Sequence, residues 1–168
     1  MYQMEVYVII VDKTMRILTT YCLFRDCSEV EFRAITDWIP VSKKTVQRDI
    51  RFLEQAGLIR ARFDRKTKSY IPMPTEGIQP VFPEKKNQRR YMERIIRLCY
   101  IIRHIDGVDD PIHWYEEQFP TLSARTRQRD FSLLNQIGVD IYYIPDDGCF
   151  PGHWVCEFNG AFSLNTLR

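Results

Sequence analysis

Lys43, Lys44, Thr45, Gln47, Arg48 and Arg51 fall within one short span of the chain. Their side chains suit contact with nucleic acid. Guanidinium and ammonium groups address guanine or phosphate, and a glutamine amide addresses adenine. Such groups must be held on one side of a rigid element, and the surrounding residues predict one. Ser42, after Pro40 and Val41, supplies a hydroxyl N-cap. Gly57 suits the position just past a helix C-terminus, where a left-handed backbone is cheap only without a Cβ. At about 100° per residue, Val46, Ile50 and Leu53 lie on one side, with Lys44, Gln47, Arg48, Arg51 and Gln55 opposite.

The pattern returns without a gap at residues 123–138, offset by 81 positions (Thr45 against Thr126). Ser, Thr, Gln, Arg, Asp, Leu, Gln and Gly recur at matching places, which argues for a duplicated domain rather than short stacked repeats. The second front comprises Arg125, Gln128, Arg129, Ser132 and Gln136. Arg127 stands where the first copy has core-facing Val46, a change able to shift the start of that helix.

The run Ser-x-x-Thr-x-Gln-Arg-Asp, then Leu and Gly, resembles the recognition helix of winged helix-turn-helix regulators of the DeoR and YafY type. Gly138-Val-Asp-Ile-Tyr-Tyr followed by Gly152-His-Trp is similar to the wing that precedes a WYL domain in that group. The effector-binding domain usual there is not in this sequence. Residues 161–168 resemble the lead-in to one, so a trimmed chain or a short family member is expected. The resemblance implies a mainly α fold with small β-hairpin wings (α+β), in two tandem winged helix-turn-helix domains. It also implies sequence-specific DNA binding and transcription regulation, with double-stranded DNA as partner. Residues 1–72 and 84–168 are the expected domains, joined by the proline-rich linker 73–83.

Ahead of the first predicted helix, residues 5–11 form a β-branched apolar run that suits a strand. Residues 15–25, capped by Asp12 or Thr14, and residues 29–39, with Val30, Ala34, Ile35 and Trp38 inward, complete a helix-turn-helix. A hairpin follows over residues 58–71, with Ile59, Ala61 and Phe63 on one face. Between Ser42 and Lys68, nine basic residues stand against three acidic ones, in a chain whose net charge is only +2. Arg60, Arg62, Arg65, Lys66 and Lys68 of this wing are expected to meet phosphate.

The second wing, residues 139–158, holds Asp140, Asp146, Asp147 and Glu157 and no lysine or arginine. It is the weaker DNA candidate. A long helix over residues 84–105 carries two apolar stripes: Tyr91, Ile95, Leu98, Ile102 and Ile105, and beside them Met92, Ile96 and Cys99. One stripe is expected to be spare and to serve a homodimer. Residues 109–119 suit a short helix with Pro111 in its first turn.

Nothing resembles a Walker loop, a nucleophile elbow or a metalloprotease pair, and His104, His113 and His153 are scattered. No enzyme activity and no cofactor are therefore expected. Cys149, His153 and Cys156 lack an evident fourth ligand for zinc. Five cysteines without an export signal suggest reduced thiols and a cytoplasmic protein, and no apolar run is long enough for a membrane. Rival readings are a plasmid or phage replication initiator and a winged-helix protein-interaction module.

Overall fold

The computed structural model describes residues 12–158, except the side chains of residues 37 and 38. The strand expected over residues 5–11 lies outside them. The fold is α+β, with six helices and two small antiparallel sheets among the described residues. No helix there is long and apolar enough to cross a membrane.

Helix α1 (Lys13–Asp26) is capped by Asp12, whose carboxylate accepts from the Met15 N–H at 2.9 Å. It is buried almost all round, because other helices cover it on more than one side. The helix expected over residues 29–39 starts later. Val30–Glu31 forms strand β1, and α2 is confined to Phe32–Trp38. The reason lies in the hairpin β2 (Ala61–Asp64) and β3 (Ser69–Pro72), which leaves one edge of β3 open. Val30 pairs with Tyr70 and Glu31 with Ser69 on that edge, giving the order β1-β3-β2. Of the three residues on the shared strand face, Ile59 and Ala61 turn inward. Phe63 does not: it is 45% exposed and rests on Tyr70, with ring centroids 4.9 Å apart. The strand has outrun the core by that point.

Helix α3 (Lys43–Gln55) ends at Gly57, whose φ is +69°. A Cβ there would lie 3.4 Å from the Ile78 carbonyl oxygen and the Pro80 nitrogen. The proline-rich segment thus passes against this turn, and Val81 exchanges hydrogen bonds with Gln55. Next come α4 (Lys86–His104), α5 (Pro111–Gln118), α6 (Ala124–Gln136), β4 (Val139–Ile144) and β5 (His153–Phe158). The second stripe of α4 is not spare. Met92 and Cys99 are fully buried within the chain and Ile96 is half-buried, so the motive for a dimer through that stripe falls away.

The duplication is visible in atomic detail. Helices α3 and α6 coincide at the offset of 81, with Ser42 and Ser123 each accepting from the threonine N–H three residues on, at 3.2 Å. The start of α6 is not shifted, because Arg127 turns aside to pair with Glu116. Arg16–Asp49 and Arg97–Asp130 are likewise equivalent ion pairs. The buried core runs continuously through both repeats.

Candidate functional site

Asp49 fixes the back of α3. Its side chain is 3% exposed and takes two bonds from Arg16, 2.5 Å from Nε and 3.2 Å from Nη2. This bidentate pair anchors α3 to α1 and neutralises the carboxylate inside the protein. Its neighbours are thereby turned outward: Lys43, Lys44, Gln47, Arg48 and Arg51 are all exposed. Thr45 is not part of that front. It is half-buried, with its hydroxyl 2.9 Å from the Ser42 hydroxyl in the cap.

The hairpin and α2 turn this front into a concave surface. Lys43 and Gln47 of α3, with Phe63, Thr67 and Lys68 of the hairpin, line a cleft of about 520 Å³ whose far wall is Glu31, Phe32, Arg33 and Thr36. Lys68 has a left-handed backbone (φ +54°), and the Lys66 N–H donates to Asp64 at 2.8 Å, which shapes the turn. Arg62, Arg65 and Lys66 are exposed on the same hairpin. Arg60 is drawn elsewhere. It lines a smaller cleft of about 210 Å³ with Tyr21, Arg25 and Arg103, between the repeats and remote from the tip of the wing. Sequence reasoning missed Arg33, Phe32 and Phe63 as members of the concave surface. The available signal was a cation beside an aromatic residue at the start of α2, close to the turn before α3.

In the second repeat Arg125, Gln128, Arg129, Ser132 and Gln136 are exposed, as on the first front. Asp130 is held more firmly than Asp49. It accepts from Arg97 at 2.8 and 3.3 Å and from the Tyr115 hydroxyl at 2.7 Å. Burial, then the bond to Asp130, raises the Tyr115 phenol above its ordinary range. The second hairpin differs in surface chemistry. Tyr142, Tyr143 and Phe150 are 47%, 50% and 70% exposed among its four acids. At its tip, Asp147 accepts from the Cys149 and Phe150 N–H groups at 2.9 and 2.8 Å, and Asp146 accepts from Gly148 at 2.7 Å. Cys156 is buried while Cys149 is exposed, and no group of three or more potential metal ligands stands together among the described residues.

The chain matches no protein-family model, no curated protein and no solved structure.

Thr14 bonds to Tyr91 at 3.4 Å and Arg25 to the Ile102 carbonyl at 3.3 Å, both at a separation of 77 residues, so α1 and α4 lie parallel and side by side. Helix α3 reaches α4 as well: the Phe52 and Tyr91 rings lie 5.7 Å apart, with the Lys13 ammonium over both.

Proposed function

We propose that the chain is a sequence-specific, double-stranded DNA-binding regulator of transcription, acting in the cytoplasm and built from two winged helix-turn-helix units in tandem. The first unit holds the DNA. The order helix, strand, helix, helix, strand, strand, with the middle strand of the sheet supplied last, supports the winged-helix reading. The observation that carries the function is the shared concave surface of α3 and the first hairpin, where Lys43, Gln47 and Lys68 converge. Arg48 and Arg51 project beside it.

A helix fits the major groove, where Gln47, Arg48 and Arg51 would meet base edges. Arg62, Arg65, Lys66 and Lys68 would then lie against phosphate and set the register rather than the sequence. Asp49 does not oppose this, because its charge is spent on Arg16. Arg60, turned into the other cleft, is left out of the set. The second front, beside a hairpin of four acids, is placed in protein contact instead, because like charge next to phosphate is penalised.

The test is fluorescence anisotropy of labelled random duplex across a range of salt. With four hairpin cations on phosphate, log K should fall with log salt at a slope of about −4. Absence of binding at low salt would overturn the reading, and an operator selected from random sequence would complete it.

A further inference from the structure

We propose that the tip of the second hairpin is a docking knob for a second copy of this chain. The cleft between α2, α3 and the first hairpin of that copy receives it. The knob is Phe150, the most exposed large apolar side chain among the described residues, with its N–H bonded to Asp147 and Asp146 next to it in the same turn. It is presented in a fixed shape, because both carboxylates accept from backbone N–H groups of the turn itself. Solvated aromatic surface of this kind gains by burial.

The cleft has the complementary form. Its walls include the aromatic rings of Phe32 and Phe63, and Lys43 and Lys68 stand at its rim, with Glu31 the one acid among its lining residues. Its volume of about 520 Å³ admits a phenyl ring together with flanking carboxylates. Charge points the same way. Residues 139–158 carry four acids and no lysine or arginine, and residues 42–68 carry nine basic residues against three acidic ones. Opposite fields of this kind steer association and fix its register.

The contact must be made between copies. Within one chain no described residue of the second hairpin lines the cleft, and Phe150 stays exposed, so a chain's own knob and cleft do not meet. It is also head-to-tail: each copy offers a knob to one neighbour and a cleft to another, which builds open chains rather than a closed pair. The proposal does not rest on DNA binding, but it occupies the surface assigned to DNA. Duplex and second copy should therefore exclude each other.

Sedimentation velocity of the full chain tests this. In low salt the wild-type protein should show mass rising with concentration, returning to monomer in molar salt as the charges are screened. Phe150→Ala, and separately Lys43→Glu with Lys68→Glu, should each weaken association by about tenfold or more. All three positions are exposed, and circular dichroism checks that the variants fold. The deciding result comes from mixing the two variants. One keeps a cleft and the other a knob, so the mixture should form a one-to-one dimer that grows no further. A wild-type protein that stays monomeric in low salt, or a mixture that stays monomeric, overturns the proposal. So does an assembly that persists with duplex bound in the cleft. If duplex fails to bind while the mixed dimer forms, the DNA reading falls and this one stands.

Discussion

The two buried arginine–aspartate pairs should differ measurably in what they contribute. Asp49→Ala leaves Arg16 without its partner, and the Arg16 side chain is only 14% exposed. Breaking a buried pair from one side costs about 3–5 kcal/mol. The remaining solvent contact of Arg16 puts this case at the lower end, about 3 kcal/mol. Asp130→Ala strands Arg97, which is 16% exposed, and in addition deprives the buried Tyr115 hydroxyl of its acceptor at 2.7 Å. An unsatisfied buried donor adds about 1–3 kcal/mol, so the second substitution should cost about 1–2 kcal/mol more than the first. Urea unfolding followed by far-ultraviolet circular dichroism gives both values. Tyr115→Phe supplies the control: it should cost about 1 kcal/mol in the wild-type chain and restore about 1–2 kcal/mol in the Asp130→Ala background, where the orphaned hydroxyl is removed. Replacing Arg16 and Asp49 together by Met and Leu should come within about 1 kcal/mol of wild type, because no orphaned charge remains. Equal costs for Asp49→Ala and Asp130→Ala would refute the contribution assigned to the Tyr115 hydroxyl, and either cost below about 1 kcal/mol would refute the assignment of these pairs as buried anchors.

Other perturbations read the surface and the interior separately. Arg48→Ala should weaken binding to a selected operator by about 1–3 kcal/mol without moving the unfolding midpoint, while Arg129→Ala should cost less than half as much. Arg65→Ala should reduce the magnitude of the salt slope by about 0.9 and leave sequence preference intact, as titrations at several salt concentrations will show. A thiol reagent followed by absorbance should modify exposed Cys149 in the native protein and reach Cys22 and Cys99 only on unfolding. Stability should also decline in alkali. Burial raises the Cys22 thiol from 9.0 to about 12 and Cys156 to about 11. The unfolded chain therefore holds fewer protons than the native one above pH 9. Stability from these thiols is complete below that pH and is lost as pH rises toward the folded values, which urea titrations from pH 8 to 10.5 should record.

What could be read from the sequence was whatever a local signal enforces. Ser42, Gly57 and their counterparts Ser123 and Gly138 mark the ends of α3 and α6 through caps that span a few residues. The amphipathic wheel then assigns Val46, Ile50 and Leu53 inward and Arg48 outward without knowledge of the partner. Long-range competition was not legible. Val30 suits a strand or a helix equally, and only the open edge of β3 decides between them. Arg127 looked like a fault in a helix core until Glu116, eleven residues away, provided its partner. The two stripes of α4 gave no hint that both would be consumed inside the chain, because α1 carries a polar-looking run of threonines and is nevertheless buried on nearly every side. For Arg60, strand alternation gives the side the residue faces, and only the fold shows that it also lines a cleft with Tyr21, Arg25 and Arg103.

Duplication ordinarily repeats a surface along with a fold, and here the surfaces of the two hairpins have diverged. Equivalent residues are 81 positions apart, yet the residues that touch across α1 and α4 are 77 apart. The paired residues of α1 and α4 are thus slid by four residues, about 6 Å, from equivalence. The second hairpin carries four acids and solvent-facing aromatic rings where the first carries five basic residues. The shared internal device, an aspartate clamped by an arginine from the first helix of its repeat, persists in both because it holds the helix pair together whatever the front is used for. The duplicated parts are the ones that fold the unit, and the part that has diverged most is the exposed hairpin.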